Sequence, residues 1–284
     1  MAMTNITLEQ LVASVDDIPA LPSVTIQVIK LTEDPDSTAE DVNRVITQDQ
    51  GLTAKVLRLA NSAYYGFPRR IRTVTEATVL LGFQTIKSLA LAASVSEVLN
   101  REVQGYALPA GELWRHSQAV AISCRMIART VKFRNQEEAY TAGLLHDIGK
   151  VILNRHLQEA YQEVIDSVQK NGTSFIEAEE KILGFNHAQV GSRIAEKWNL
   201  PDGLVEAIAC HHSPGAARIN STLTSIVHLA DAMVMMMGIG LGVDGLDYSF
   251  EFSTLHALGL SDKSVEEMMA RLSEILADES CFLL

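Results

Sequence analysis

Apolar residues recur at spacings of three and four along nearly the whole chain, as in Val42, Val45 and Ile46, which places them on one face of a helix. No stretch sustains the period-two alternation of a half-buried strand, so the pattern predicts an all-α fold. Start signals punctuate it. Ser37-Thr38-Ala39-Glu40 reads as a capping box behind Asp34-Pro35-Asp36, and Ser174 with Glu177 and Ser264 with Glu267 repeat the signature. The run from Lys55 to Gly66 reads as an amphipathic helix stopped by its glycine. Thr78 to Val95 is the most apolar stretch, but Gln84, Thr85, Lys87 and Ser88 interrupt it, so a buried amphipathic helix is expected there rather than a membrane span. Two breaks in the pattern, at 100–111 and 238–250, divide the chain into an N-terminal helical half (1–107), a second helical half (108–240) and a helical extension (241–284).

Composition narrows the function classes. Hydrophobic residues make up 47% of 284, enough for a sizeable core, and the mean hydropathy is +0.11. Acidic residues outnumber basic ones 35 to 23, a formal charge of −12. Nucleic-acid binding rests on a basic surface, so nucleic acid is not an expected partner. Arg69-Arg70-Ile71-Arg72 reads as a solvated turn on an acidic body. Cys124, Cys210 and Cys281 form no CxxC pair, which argues against a disulfide framework or a thiolate zinc site. Met1 to Gln10 lacks the basic and apolar regions of a signal peptide, so a cytoplasmic protein that does not engage the membrane is expected.

Chemistry concentrates in two helices. His146-Asp147 stands in the apolar run Ala142 to Leu153, and Asp231 stands in Ile226 to Val234, whose Val227, Ala230 and Val234 mark a buried face. A desolvated, unpaired carboxylate costs several kcal/mol. Two such aspartates in separate apolar stretches call for one shared positive partner. A metal ion meets that need, and imidazole with carboxylate suits iron, manganese, zinc or nickel.

The order His116, His146-Asp147, Asp231 resembles the HD superfamily of metal-dependent phosphohydrolases. Leu21-Pro22, the run from Lys55 through Asn61, Ser62, Tyr64 and Tyr65 to Gly66, and Leu80-Leu81-Gly82 resemble its HDOD branch, over roughly Ile18 to His212. That resemblance implies an extra helical half ahead of the HD half, and a signalling or regulatory role with a protein partner on the N-terminal half. In the related HD-GYP phosphodiesterases, the positions of His187, His211 and His212 hold a second metal. Glu112, one turn before His116, matches a further ligand in some of them. The resemblance therefore implies one or two divalent transition metals on His116, His146, Asp147 and Asp231, with His187, His211, His212 and Glu112 extending the set. It also implies an alternative, an active phosphohydrolase acting on a nucleotide or phosphate-ester ligand. There Asp147 would be shared by two metals, a bridging hydroxide would attack phosphorus, and Lys150 would offset phosphoryl charge. The Gly-Tyr-Pro loop of HD-GYP proteins is replaced by Ser213-Pro214-Gly215-Ala216-Ala217-Arg218, which removes the expected contact for a cyclic dinucleotide. His228, one turn from Asp231, reads as a buried structural histidine.

Overall fold

The structure, a computed structural model, describes residue 8 and residues 21–171, 173–243 and 250–282. Among these residues there is no strand, only one isolated bridge between Val103 and Leu108, as the period of three and four predicts. The helices are α1 (Ser23–Glu33), α2 (Ala39–Ile46), α3 (Gln50–Ala60), α4 (Val74–Leu81), α5 (Phe83–Leu99), α6 (Glu112–Thr130), α7 (Gln136–Leu145), α8 (Ile148–Asn171), α9 (Phe175–Leu183), α10 (His187–Lys197), α11 (Asp202–Cys210), α12 (Ser221–Met236), α13 (Ser253–Leu258) and α14 (Asp262–Leu276). None is long and apolar enough to cross a membrane.

Local chemistry moves several of the expected boundaries. The first capping box closes one residue late: Thr38 accepts from the Asp41 amide, and Asp41 accepts from the Thr38 amide. Ser174 and Glu177 form theirs as expected. The C-terminal helix begins at Asp262 with Ser261 as cap, so Ser264 lies inside its first turn. The helix expected to run to Gly66 ends at Ala60, because the Asn61 side chain ties the chain off. Its amide donates to the carbonyls of Leu57 and Ile71, and its oxygen accepts from the Ile71 amide. Thr78–Val95 is two helices rather than one. Gly82 separates them at φ 82°, a left-handed value that glycine takes without strain. Beyond it α5 is buried nearly all round, including Thr85 and Ser88, so it is a core helix and not an amphipathic one.

Both sequence breaks carry turns. Between α5 and α6 a single 3-10 turn covers Gln104–Tyr106, and Ala107 takes a left-handed conformation. At the second break Gly238 and Gly240 have positive φ, whereas 244–249, with Gly245, lie outside the described residues. The N-terminal stretch read for a leader also lies outside them, apart from Leu8. Buried side chains form one cluster from Leu21 to Phe282. Arg125 of α6 links chain regions within it: it donates to the Tyr65 hydroxyl at 3.1 Å and pairs with Glu137 at 2.6 Å, with the Tyr140 ring 4.0 Å away. Arg69, Arg70 and Arg72 are exposed around a buried Ile71, as expected of a solvated turn.

The candidate site is built where α6, α8, α10, α11 and α12 converge. Gly149 sets the closest approach. A Cβ there would fall 2.0 Å from the carbonyl oxygen of His187 and 2.7 Å from the amide of Gly191, so only glycine lets α8 lie against α10.

Candidate metal centre

His146 and Asp147 do not sit inside a helix, as the apolar run suggested, but in the turn between α7 and α8. His146 Nδ1 lies 2.7 Å from the Gly143 carbonyl, one turn back. The helix restarts behind Asp147, whose carbonyl accepts from the Lys150 amide at 3.0 Å. The break turns both side chains inward from one point of the backbone. His116 stands in the second turn of α6 and Asp231 in the middle of α12. His187 opens α10, where the Asn186–Gln189 capping box fixes it, and His211 caps the end of α11 with His212 next to it.

These seven side chains meet. His116 Nε2 lies 3.0 Å from Asp231 Oδ1 and 3.7 Å from Asp147 Oδ2, while His146 Nε2 lies 3.3 Å from Asp147 Oδ2 and 3.6 Å from Asp231 Oδ1. On the other side, Asp147 Oδ1 lies 3.4 Å from His187 Nε2 and 3.8 Å from His211 Nε2, and His187 Nε2 lies 2.9 Å from His212 Nε2. The Asp147 carboxylate thus has one oxygen toward each histidine group. Three overlapping sets have donors within 4.8 Å of one another: His116, His146 and Asp231; His146, Asp147 and His211; His187, His211 and His212. Donors bonded at 2.0–2.1 Å around a tetrahedral metal stand about 3.3 Å apart, so these separations suit a shared cation. Glu112, in the first turn of α6 and one turn before His116, belongs to none of these sets.

The polar atoms support the same arrangement. His146 Nε2, Asp147 Oδ1 and His211 Nε2 are buried without a hydrogen-bond partner, although buried polar groups are almost always paired. All three face the common centre. The outer ring nitrogens are tethered instead: His116 Nδ1 lies 3.1 Å from the Ile239 carbonyl, and His211 Nδ1 lies 2.7 Å from that of Ile208. Donation from Nδ1 in this way leaves the Nε2 lone pair pointing inward.

Protonation follows from burial and neighbours. Burial disfavours charge on His146, but the Asp147 and Asp231 carboxylates outweigh it and push its pKa up to about 10. Burial, with repulsion from His146 and His187, outweighs the two aspartates at His211, and its pKa falls to about 3. Burial and the neighbouring His211 likewise hold His212 well below the usual imidazole range. Asp147 and Asp231 remain far below the carboxylate range against their burial: His146 and Lys150 stabilise the first, His116 and His146 the second. The metal-free cluster therefore holds anionic Asp147 and Asp231, neutral imidazoles at His211 and His212, and a proton on His146 where a metal cation would sit.

Lys150 is buried, and its Nζ lies 2.5 Å from Asp147 Oδ2. His228 is buried as expected and braces the site: Nδ1 donates to the His211 carbonyl at 2.7 Å, and Nε2 accepts from the Glu251 amide at 3.0 Å. Two residues at the centre's edge escaped the sequence reading. Glu179 accepts from His187 Nδ1 at 2.8 Å and also from the Tyr106 hydroxyl. The signal for Glu179 was present, since it lies one turn beyond Phe175 and one residue after Ala178, on the buried face of α9. Tyr106, in a three-residue turn, offered none.

Comparison with known proteins gives this arrangement a family. A 1.90 Å crystal structure of an HDOD domain protein of unknown function from Geobacter sulfurreducens is similar over 98% of this chain and 97% of that one, with TM-score 0.77 and 28% identity. A protein from Shewanella amazonensis SB2B, provisionally described as a phosphohydrolase, is similar over 97% and 96%, with TM-score 0.74 and 26% identity. An uncharacterized protein of Treponema pallidum (strain Nichols) is 27% identical over 234 residues; the match takes in 78% of this chain and 43% of that protein's length, so this chain spans less than half of that relative. The family model of the HDOD domain matches residues 18–214, well over half the chain, and the protein belongs to the HDOD domain family.

Proposed function

We propose that this chain is a regulatory, signal-transducing HDOD protein whose second half, residues 108–240, holds one or two divalent transition metals, while residues 1–107 engage a protein partner. One observation carries the metal reading: His146 Nε2, Asp147 Oδ1 and His211 Nε2 face one centre with no hydrogen-bond partner. His116, His146, Asp147 and Asp231 would hold the first metal, and His187, His211 and His212 the second, with Asp147 between them. Nitrogen and oxygen donors without thiolate suit iron, manganese, zinc or nickel. Residues 241–284 complete the domain as a helical extension.

Hydrolysis of a phosphate ester is the second reading, favoured by the buried lysine at the centre. Bound metals would supply Lewis acidity toward a phosphoryl oxygen and make a water molecule more acidic. Asp147 would present one oxygen to each donor group, and Lys150, already held on Asp147, would balance negative charge arriving with a phosphate. His228 would keep His211 in place through its carbonyl. In place of a dinucleotide-binding loop, residues 213–220 form a short turn pinned by Glu206, which accepts from the amides of Arg218, Ile219 and Asn220. Small phosphate esters or nucleotides are therefore the expected substrates, rather than cyclic dinucleotides.

Elemental analysis of the purified chain, followed by a phosphate-ester screen with added Mn²⁺ or Fe²⁺, tests both readings. Metal without turnover, with a partner captured through residues 1–107, supports regulation. Turnover that disappears in Asp147→Ala supports hydrolysis. A chain that takes up no transition metal sinks both.

A further inference from the structure

We propose that Glu179, anchored by Tyr106, is the positioning residue that makes His187 a donor for the second metal; this rests on the metal reading above. Glu179 is fully buried at the start of the last turn of α9. Its Oε2 accepts two hydrogen bonds from one residue, the His187 amide at 3.0 Å and His187 Nδ1 at 2.8 Å. Its Oε1 accepts from the hydroxyl of Tyr106, which is also fully buried.

A buried carboxylate persists only when donors satisfy it, and here three do. The result for His187 is specific. Donation from Nδ1 fixes the tautomer, so the Nε2 lone pair faces His212 and Asp147, at 2.9 and 3.4 Å. The Tyr106 ring stands edge-on to the His187 ring, with centroids 6.1 Å apart at 87°, so the same tyrosine limits the ring's tilt and holds the carboxylate that orients it.

Glu179 also sets His187 apart chemically from three of the other histidines. The outer nitrogens of His116, His146 and His211 rest on backbone carbonyls, whereas that of His187 rests on a carboxylate. A carboxylate raises the basicity of the imidazole it holds, and removing such a partner costs on the order of 10–100-fold in metal affinity. Tyr106 lies in the turn between α5 and α6, so the second metal position is tied to the connection between the two halves.

The experiment is a Co²⁺ titration of the chelator-treated full chain followed by visible absorption, with ¹⁵N NMR of the histidine rings before metal is added. In Glu179→Ala, the second equivalent should bind tenfold or more weakly while the first is unchanged, and the His187 ring should lose its single tautomer. Glu179→Gln, which keeps the shape and an oxygen to accept from His187 but loses the charge and turns an NH2 donor toward Tyr106, should fall between Glu179→Ala and the parent. Tyr106→Phe should move the second equivalent in the same direction by less. If Glu179→Ala unfolds, Glu179→Gln decides. Two Co²⁺ equivalents bound by Glu179→Gln as by the parent would overturn the proposal. If the parent takes no second Co²⁺, the two-metal form of that reading fails separately, and a His187 ring spectrum that Glu179 variants leave unchanged overturns the positioning role itself.

Discussion

The α-carbon of Gly149 faces the carbonyl oxygen of His187 so closely that a methyl group on it would lie 2.0 Å from that oxygen. The contact is backbone against backbone, so no side chain can swing away to relieve it. It sits two residues beyond Asp147 and holds the start of α8 against the start of α10, which is how Asp147 and His187 come within 3.4 Å. Gly149→Ala should therefore act on stability and on the centre together. Overpacking costs typically 1–3 kcal/mol, and with no yielding neighbour we expect about 3 kcal/mol here. Urea unfolding with parallel metal analysis checks it. A variant with parental stability and full metal content would show that the two helices can part freely.

The helices and the buried aspartates were legible in the sequence because both rest on local rules, whereas His116, His187, His211 and His212 were implied as ligands by the resemblance to HD and HD-GYP proteins. Period, caps and the solvation cost of Asp147 and Asp231 depend only on neighbours along the chain. The helix ends were less legible. Asn61 stops α3 by bonding to Ile71, ten residues on, and no local signal registers such a bond. The turn at His146-Asp147 was hidden for a similar reason, because an apolar run such as Ala142 to Leu153 reads as one helix whether or not a side chain breaks it. Tertiary packing buries Lys150 on Asp147, which no pattern along the chain reveals. Glu179 was as conspicuous as Asp231 by the same burial argument and was passed over because no family motif pointed to it.

Asp147 balances several charges at once, which makes its removal distinctive. Asp147→Ala leaves Lys150 and protonated His146 buried beside one another without their carboxylate. Removing one partner of a buried pair costs about 3–5 kcal/mol. We expect that loss in the metal-free protein, together with loss of metal from both donor groups. His212→Ala, at a half-buried position, should affect only the second metal. Calorimetry and elemental analysis of the two variants side by side check the contrast, and equal metal loss in both would contradict a bridging Asp147.

Metal should also stabilise the fold, because an unfolded chain does not keep these seven donors together. At a free metal concentration 100 times the dissociation constant the gain is about 2.7 kcal/mol. For a chain of this size, that corresponds to a rise in Tm of about 4–5 °C. Thermal scans with chelator and with graded Mn²⁺, Fe²⁺ or Zn²⁺ would show it. A Tm indifferent to all of these would leave the inward-facing nitrogens unexplained by metal.

Metal uptake should depend on pH with a sign set by His146. In the metal-free protein the paired carboxylates hold its pKa at about 10, so at neutral pH it carries a proton that must leave before Nε2 can bind a metal. Protons and metal compete for that nitrogen, and the proton's advantage shrinks as pH rises. His211, with its pKa pushed down to about 3 by burial, is already neutral across the accessible range and adds no further competition. Burial keeps His212 neutral as well. The first metal should therefore release one proton, and its association constant should rise about tenfold per pH unit between roughly pH 6 and 8. Titration calorimetry in two buffers of different ionisation enthalpy counts the proton directly. A pH-independent affinity with no proton released would mean that His146 is neutral before the metal arrives, which contradicts the charge balance derived for Asp147 and Asp231.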